Sequence, residues 1–320
     1  MIHRLQARPP LGYLGIGDDA AYLPPSDQGL LVSQDMLVEN VHFRSDWITP
    51  EQLGEKAVAV NISDIAAMGG TPVALLTSLS VPGNLDVLWV EELYRGIAKA
   101  LDRYGAVLVG GDTVGSPDRI VLDVTVIGRP SAAGPVLRTG ARPGDRLFVS
   151  GRLGAAYAGY LLLSQGVSWP STVVAERSVL MAQLTPIARV GVGQAMAPFT
   201  HALTDISDGL ALELEEFTRF GGIGATIWTD KLPIDEATLT IAKRFSASPV
   251  DFALYGGEDY ELLAAVPPSR VAEVQEVSKE CGVAMTEIGM VTETAGIRIA
   301  PFGGQEEIIH GYGFNHFAMD

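Results

Sequence analysis

The chain has 320 residues, 47% of them hydrophobic and 19% charged, with a formal net charge of −16, a composition that excludes intrinsic disorder. No run of Lys or Arg offsets the acidity, so nucleic acid and anionic membrane surfaces are excluded as partners, and a bound polyanion must bring cations with it. The single cysteine, Cys281, excludes an internal disulfide and a cysteine-built zinc cluster.

The first fifteen residues hold no apolar stretch of signal-peptide length, and the longer apolar runs are too short to span a bilayer; a cytoplasmic protein is expected. The loop "GIGDDAAYL" (15–23) sets two aspartates among glycines, suited either to a metal-bound phosphate or to a tight turn. "GLLVSQD" (29–35) reads as a strand ending in Asp35. Residues 49–70 read as a helix, with Thr49 as cap, Pro50 at the first position and Gly69 and Gly70 as its stop. "TPVALLTSLSV" reads as a strand, residues 86–105 as an amphipathic helix, and "AVLVGGD" as a strand ending in Asp112. "RIVLDVTVIG" (119–128) alternates like a strand with one face toward solvent or another sheet.

The Pro-, Gly- and Arg-rich segment 129–145 is the expected boundary between a domain of residues 1–135 and one of residues 136–320. Beyond it, "RLFVSG" reads as a strand, 153–166 as a helix, 173–197 as two helices, and "HALTD" as a strand stub. A helix from "SDGLALELEEFTRFGG", a strand "GATIWT" and a helix near 234–246 follow. The last elements are a strand "DYELLAAV", a helix 268–282 and a strand "AMTEIGMVTE". Helices and strands interleave in both halves, which predicts two layered α/β (α+β) domains.

Three apolar runs end in aspartate, at Asp35, Asp112 and Asp205, and Asp208 follows Asp205 across a strand-to-helix turn. Each alone is a common turn or cap residue. Together they suit Mg²⁺, a hard cation held by carboxylates and substrate phosphates. Asn61 and Asp64 are three apart, hence on one face of the predicted helix, either as a hydrogen-bonded pair tying the helix to a sheet or as a metal-binding pair. The chain lacks G-x-x-x-x-G-K-[ST], H-E-x-x-H and G-x-S-x-G, and "GYLGIGDD" fails the dinucleotide fingerprint.

With these segments in place the chain resembles the thiamine-monophosphate kinase family, whose superfamily includes aminoimidazole ribonucleotide synthetase, selenophosphate synthetase and the hydrogenase maturation dehydratase. The stretches that carry the resemblance are "GIGDDAA", "DMLVENVHF", "KAVAVNISDIAAMGGTP", "GGDT", "RTGARPGD", "DISDGL", "GGEDYELL" and "GFNHF", in that order from end to end. The resemblance implies a two-domain aminoimidazole ribonucleotide synthetase-like fold and a homodimer whose N-terminal domains pair through a shared β-barrel. It implies transfer of the γ-phosphate of ATP to thiamine monophosphate with Mg²⁺. Carried over by position, Asp19, Asp35, Asp64, Asp112, Asp205 and Asp208 are the implied metal ligands. Gly111, Arg138 and Ser207 are the implied ATP contacts, and His42, Glu258 and Phe314 the implied thiamine-phosphate contacts.

The chain departs from the family at Gln34, where the family has Thr, and after "GGDT", where "VGSPDR" lacks an arginine. No general base is expected, because a phosphate monoester with a second pKa of about 6 is already anionic at pH 7. The alternatives are another enzyme of the superfamily, or a nucleotide-binding homologue without activity. The tail "HFAMD" lacks the C-terminal cysteine of the maturation dehydratase.

Overall fold

The computed structural model describes residues 27, 29–219 and 222–310. Its first part runs β1 (Leu31–Val38), α1 (Pro50–Ala67), β2 (Thr71–Pro82), α2 (Val87–Tyr104), β3 (Val107–Ser116) and β4 (Val121–Arg129). These strands form a four-stranded sheet in the order β1-β4-β2-β3, with β2 and β3 parallel across the α2 crossover and the other pairs antiparallel. The sheet is open, and no closed barrel forms among the described residues.

Helix α1 starts where local chemistry dictates. Thr49 Oγ1 accepts from the Gln52 N–H at 3.2 Å and Gln52 Oε1 accepts from the Thr49 N–H at 3.0 Å, a reciprocal cap with Pro50 next in line. Helix α2 is capped by Asp86 and ends at Gly105, whose φ of 68° is left-handed. Helix α1 is buried around nearly its whole circumference. It packs against the four-stranded sheet and α2 on one side.

The second part contributes β5 (Arg146–Ser150), α3 (Ala155–Ser164), α4 (Val174–Leu184), α5 (Val190–Met196), β6 (Ala202–Ile206), α6 (Leu210–Thr218) and β7 (Gly224–Trp228). It continues with α7 (Glu236–Arg244), α8 (Pro249–Tyr255), β8 (Glu261–Val266), α9 (Val271–Cys281), β9 (Met285–Thr292), β10 (Gly296–Ala300) and β11 (Glu307–Ile309). Seven strands form a mixed sheet in the order β11-β10-β7-β9-β5-β8-β6. Its central strands are apolar on both faces. Leu147, Val149 and Leu263 join Leu210, Leu214 and Leu254 on one side, while Phe148, Leu262 and Ala264 join Val192, Met196 and Val274 on the other. Helices α4 and α5 and strand β6 cover the second side of α1, so one core runs from Leu53 and Ala57 to Leu162 and Leu180.

Three expectations are corrected. Asp35 and Asp112 lie inside β1 and β3, not at strand ends, because both strands keep pairing beyond them. Asp259 and Tyr260 precede β8 in an irregular loop. Helix α8 and strands β10 and β11 were not expected; α8 is a short helix, started by Pro249 behind a Ser248 cap, and β11 has only three residues.

Gly54 and Gly96 let α1 and α2 approach closely. A Cβ on Gly96 would lie 1.9 Å from the Glu51 carbonyl oxygen, and one on Gly54 would lie 2.2 Å from that of Leu93. Gly96→Ala is expected to destabilise the protein by about 2 kcal/mol, since overpacking outweighs the helix propensity gained. A urea midpoint equal to the parent's would show that the helices have room to separate.

Candidate active site

The site lies on the seam between the two sheets, and α1 carries its middle. Asn61, fully buried, faces β1: its Oδ1 accepts from the Asp35 N–H at 2.9 Å and its Nδ2 donates to the Ala57 carbonyl at 2.9 Å. Asp64, one turn on, accepts from the Ser33 hydroxyl of β1. Asn61 and Asp64 therefore each tie the helix to the strand through separate partners. From the opposite side of α1, the Ser63 hydroxyl donates to Asp205 Oδ2 of β6 at 2.6 Å.

These contacts crowd carboxylates together. Burial pushes the Asp205 carboxyl up to about 8, with the charges of Asp64, Glu213 and Asp35 adding to it. Burial, then Asp64, Asp208 and Asp123, raise Asp35 to about 6. Asp64 is raised by burial against the Ser33 hydrogen bond and the charge of Arg138. Glu213 of α6 is raised to about 7 by burial and by Asp208, with Arg138 opposing. Four sequence-predicted aspartates, Asp35, Asp64, Asp205 and Asp208, thus share one electrostatic neighbourhood, with Arg138 as the cation that acts on it.

Asp112 does not join them in the single chain. Asp35 shares a cross-strand row with Val124, Thr77 and Gly111, whereas Asp112 shares the next row with Ser78, Asp123 and Met36. Successive rows face opposite sides of a sheet, and three strand spacings separate β1 from β3 by roughly 14 Å. The same parity turns Gln34 away from the group: its Nε2 donates to Asp123 Oδ2 at 2.6 Å on that other face. Asp19 and Phe314 lie outside the described residues.

Of the remaining predicted contacts, Ser207 and Glu258 border the group, and His42 lies just beyond the end of β1. Ser207 stands at the turn into α6, its hydroxyl 3.4 Å from Glu213 Oε1 and its carbonyl accepting from the Glu258 N–H at 2.6 Å. His42 Nδ1 accepts from the Val38 N–H at 3.0 Å, which places the ring proton on Nε2. Glu258 pairs with Lys56 Nζ of α1 at 2.7 Å. Tyr260, buried two residues on, has its phenol held well above the ordinary range by burial and by Glu258, Asp205, Asp35 and Asp208, so it stays a neutral hydroxyl amid these charges.

Sequence reasoning missed Ser33, Ser63, Lys56, Glu213 and Tyr260. Lys56 and Tyr260 sit inside the quoted motifs, and spacing would have grouped Lys56 with Ser63, seven residues apart on a helix. Nothing local marks Glu213 or Ser33. The donors around the seam are carboxylate oxygens, the chemistry that suits Mg²⁺. Among the described residues, no group of three or more His, Cys, Asp or Glu side chains is arranged to hold a metal ion. No described helix is long and apolar enough to cross a membrane.

Two family models match the chain: the AIR synthase related protein N-terminal domain over residues 17–129 and the C-terminal domain over residues 142–300. The thiamine-monophosphate kinase of Bacillus subtilis (strain 168) is 36% identical over 310 residues, 95% of this chain and 93% of that protein. The crystal structure of thiamine-monophosphate kinase from Stenotrophomonas maltophilia K279a superposes with a TM-score of 0.84 at 32% identity, covering 89% of this chain and 90% of that one. AaThiL complexed with AMPPCP and TMP superposes with a TM-score of 0.82 at 34% identity, covering 94% and 92%. With both domain models matched in order along one chain, and full-length relatives above 30% identity, the chain belongs to the thiamine-monophosphate kinase family of AIR synthase related proteins.

Proposed function

We infer that this protein transfers the γ-phosphate of ATP to thiamine monophosphate, giving thiamine diphosphate. The observation that carries the reading is the group Asp35, Asp64, Asp205 and Asp208, brought from β1, α1, β6 and the turn into α6 to one seam, with the charge of Arg138 acting on it. A relative at 34% identity is complexed with AMPPCP, an ATP analogue, and TMP. Carboxylate oxygens suit Mg²⁺, and these four aspartates, with Asp19, would be the residues to hold it. Bound there, Mg²⁺ supplies charge neutralisation between two polyanions and at the transferring phosphoryl group.

The chain's own residues do the rest. Arg138 and the backbone at Gly111 and Ser207 orient the ATP phosphates. His42, through its Nε2 proton, and Glu258 orient the acceptor, with Phe314 as a further contact that the family resemblance implies. No side chain needs to remove a proton, because the acceptor oxygen is already anionic. The transfer is in line, and its barrier falls mainly through positioning and electrostatics.

We further propose a homodimer. The outer face of the four-stranded sheet exposes Val32 (64%), Met36 (51%) and Val114 (51%), apolar groups that a second sheet would cover, closing a barrel. The two units would divide at residues 135 and 136, in the irregular segment between β4 and β5.

ADP release is expected with thiamine monophosphate and Mg²⁺ and not without either. Asp64→Asn and Asp205→Asn should each lower kcat on the order of 100-fold. His42→Asn should mainly raise KM for the acceptor; lost turnover with acceptor binding intact would overturn the mechanism without a base.

The raised Asp205 carboxyl sets a pH dependence. Its folded value, about 8, exceeds its ordinary 3.8, so its contribution to stability is fully present below pH 4 and is lost as pH rises toward 8. With a chelator present, Asp205→Asn is expected to melt above the parent at pH 8 and level with it near pH 4. Millimolar Mg²⁺ should reverse the order at pH 8. Equal melting curves at pH 8 without metal would contradict the crowding.

Sedimentation is expected to show a dimer for the parent and monomers for the pair Val32→Glu with Met36→Glu. A dimer that survives both charges would place the interface elsewhere.

A further inference from the structure

Lys56 is one of the largest fully buried side chains of the protein, with 2% of its side chain exposed, and no step of the phosphoryl transfer uses it. Its Nζ lies 2.7 Å from Glu258 Oε1 and donates to the Gln183 carbonyl at 3.0 Å, in the last turn of α4, where a cation complements the helix carbonyls. Gln183 in turn donates its side-chain Nε2 to Glu258 Oε2. One carboxylate is thus gripped at both oxygens by groups from two elements, α1 and α4.

The grip holds Glu258 in an unusual place. Its φ of 67° is left-handed, a conformation a β-carbon disfavours, and its N–H is fixed to the Ser207 carbonyl at 2.6 Å. The side chain nevertheless keeps 29% of its surface exposed. An ionised carboxylate accepts about four hydrogen bonds, so the two it receives here leave capacity for a ligand donor. Glu258, Asp35, Asp205 and Asp208 all act on the Tyr260 phenol, and a bare carboxylate in that neighbourhood would also repel an incoming phosphate monoester. Lys56 cancels that charge without occupying the open side.

Resting on the function proposed above, we propose that Lys56, with Gln183, is a positioning residue for the acceptor. It aims and neutralises Glu258 so that this carboxylate takes the N–H donors of the acceptor's organic part while the phosphate end meets the aspartates. It contributes nothing to ATP, whose contacts come from other elements. A merely structural pin between α1 and α4 would serve both substrates alike.

The test is steady-state kinetics on the full chain with thiamine monophosphate, ATP and Mg²⁺. Lys56→Met should raise KM for the acceptor roughly 10-fold or more, the effect of losing a charged hydrogen-bond partner, with KM for ATP and kcat within about threefold. Because Lys56 acts through Glu258, the double variant Lys56→Met with Glu258→Gln should be no worse than Glu258→Gln alone. Additive losses, an unchanged acceptor KM, or equal shifts for both substrates would overturn the proposal. If Lys56→Met does not fold by circular dichroism, Gln183→Met carries the same comparison, with the same acceptor-only shift expected. Absent turnover by the parent would instead overturn the proposed function, and this inference with it.

Discussion

The organisation of the site depends on one constraint: carboxylates from separate elements act on one another at one seam, and Asp205 among them is buried. Burial is the largest influence on Asp35, Asp64, Asp205 and Glu213 alike, and mutual repulsion adds to it for Asp35, Asp205 and Glu213. Hydroxyls donate to three of them, Ser33 to Asp64, Ser63 to Asp205 and Ser207 to Glu213, and the Asn61 amide fixes the backbone of Asp35. These donors orient the oxygens without neutralising them. The result is a preorganised demand for positive charge, the property a protein with 38 acidic and 22 basic residues needs if it is to receive two phosphate-bearing molecules at one place.

Helix α1 satisfies that constraint because it touches both halves of the molecule. Residues seven apart share a stripe of a helix, and residues two apart face nearly opposite ways. Lys56 and Ser63 form the stripe toward Glu258 and Asp205, while Asn61 and Asp64 face β1 and reach the Asp35 backbone and Ser33. The remaining turns are Ala, Val and Ile packed into a common core, with Gly54 allowing α2 to lie close. A helix sealed on all sides has little freedom to rotate or slide, so both polar stripes stay aimed. The site's precision follows from core packing as much as from its hydrogen bonds.

Much of this was legible in the sequence, for reasons that are local. Thr49 and Pro50 announce the start of α1, residues 86 to 105 mark out α2, and the spacing of Asn61 and Asp64 places both on one face. What was not legible depends on pairing register. Asp35 and Asp112 look equivalent as ends of apolar runs, yet adjacent cross-strand rows send them to opposite faces, and only the register reveals it. Lys56 reads as a surface lysine until α4 covers it, and Glu213 acquires its role from Asp208 and Arg138, the latter seventy-five residues upstream. Strands β10 and β11 are short, β10 relying on β7 for pairing and β11 on β10, so no local pattern marks them strongly.

The segment "GGEDYEL" shows how conformational strain is used. Glu258 and Tyr260 have φ of 67° and 49°, and neither is glycine, so each costs on the order of 1 kcal/mol. Glycine at either position would relieve that cost but remove a side chain that the seam uses. The strain persists because neighbours over-determine it. The N–H groups of Glu258 and Tyr260 bond the carbonyls of Ser207 and Ile206, and between them Asp259 takes the N–H groups of Gly154 and Ala156 at the start of α3. Glu261, next along, is bound by Ser150 and by both arms of Arg189. Alternate side chains are thereby driven in different directions: Asp259 and Glu261 into the body of the protein, Glu258 and Tyr260 toward the carboxylate group. An ordinary extended strand would alternate faces as well, but it would pair along β6 and withdraw Glu258 from the Lys56 ammonium. The left-handed turns are what allow one short loop both to anchor itself and to present its carboxylate at the seam.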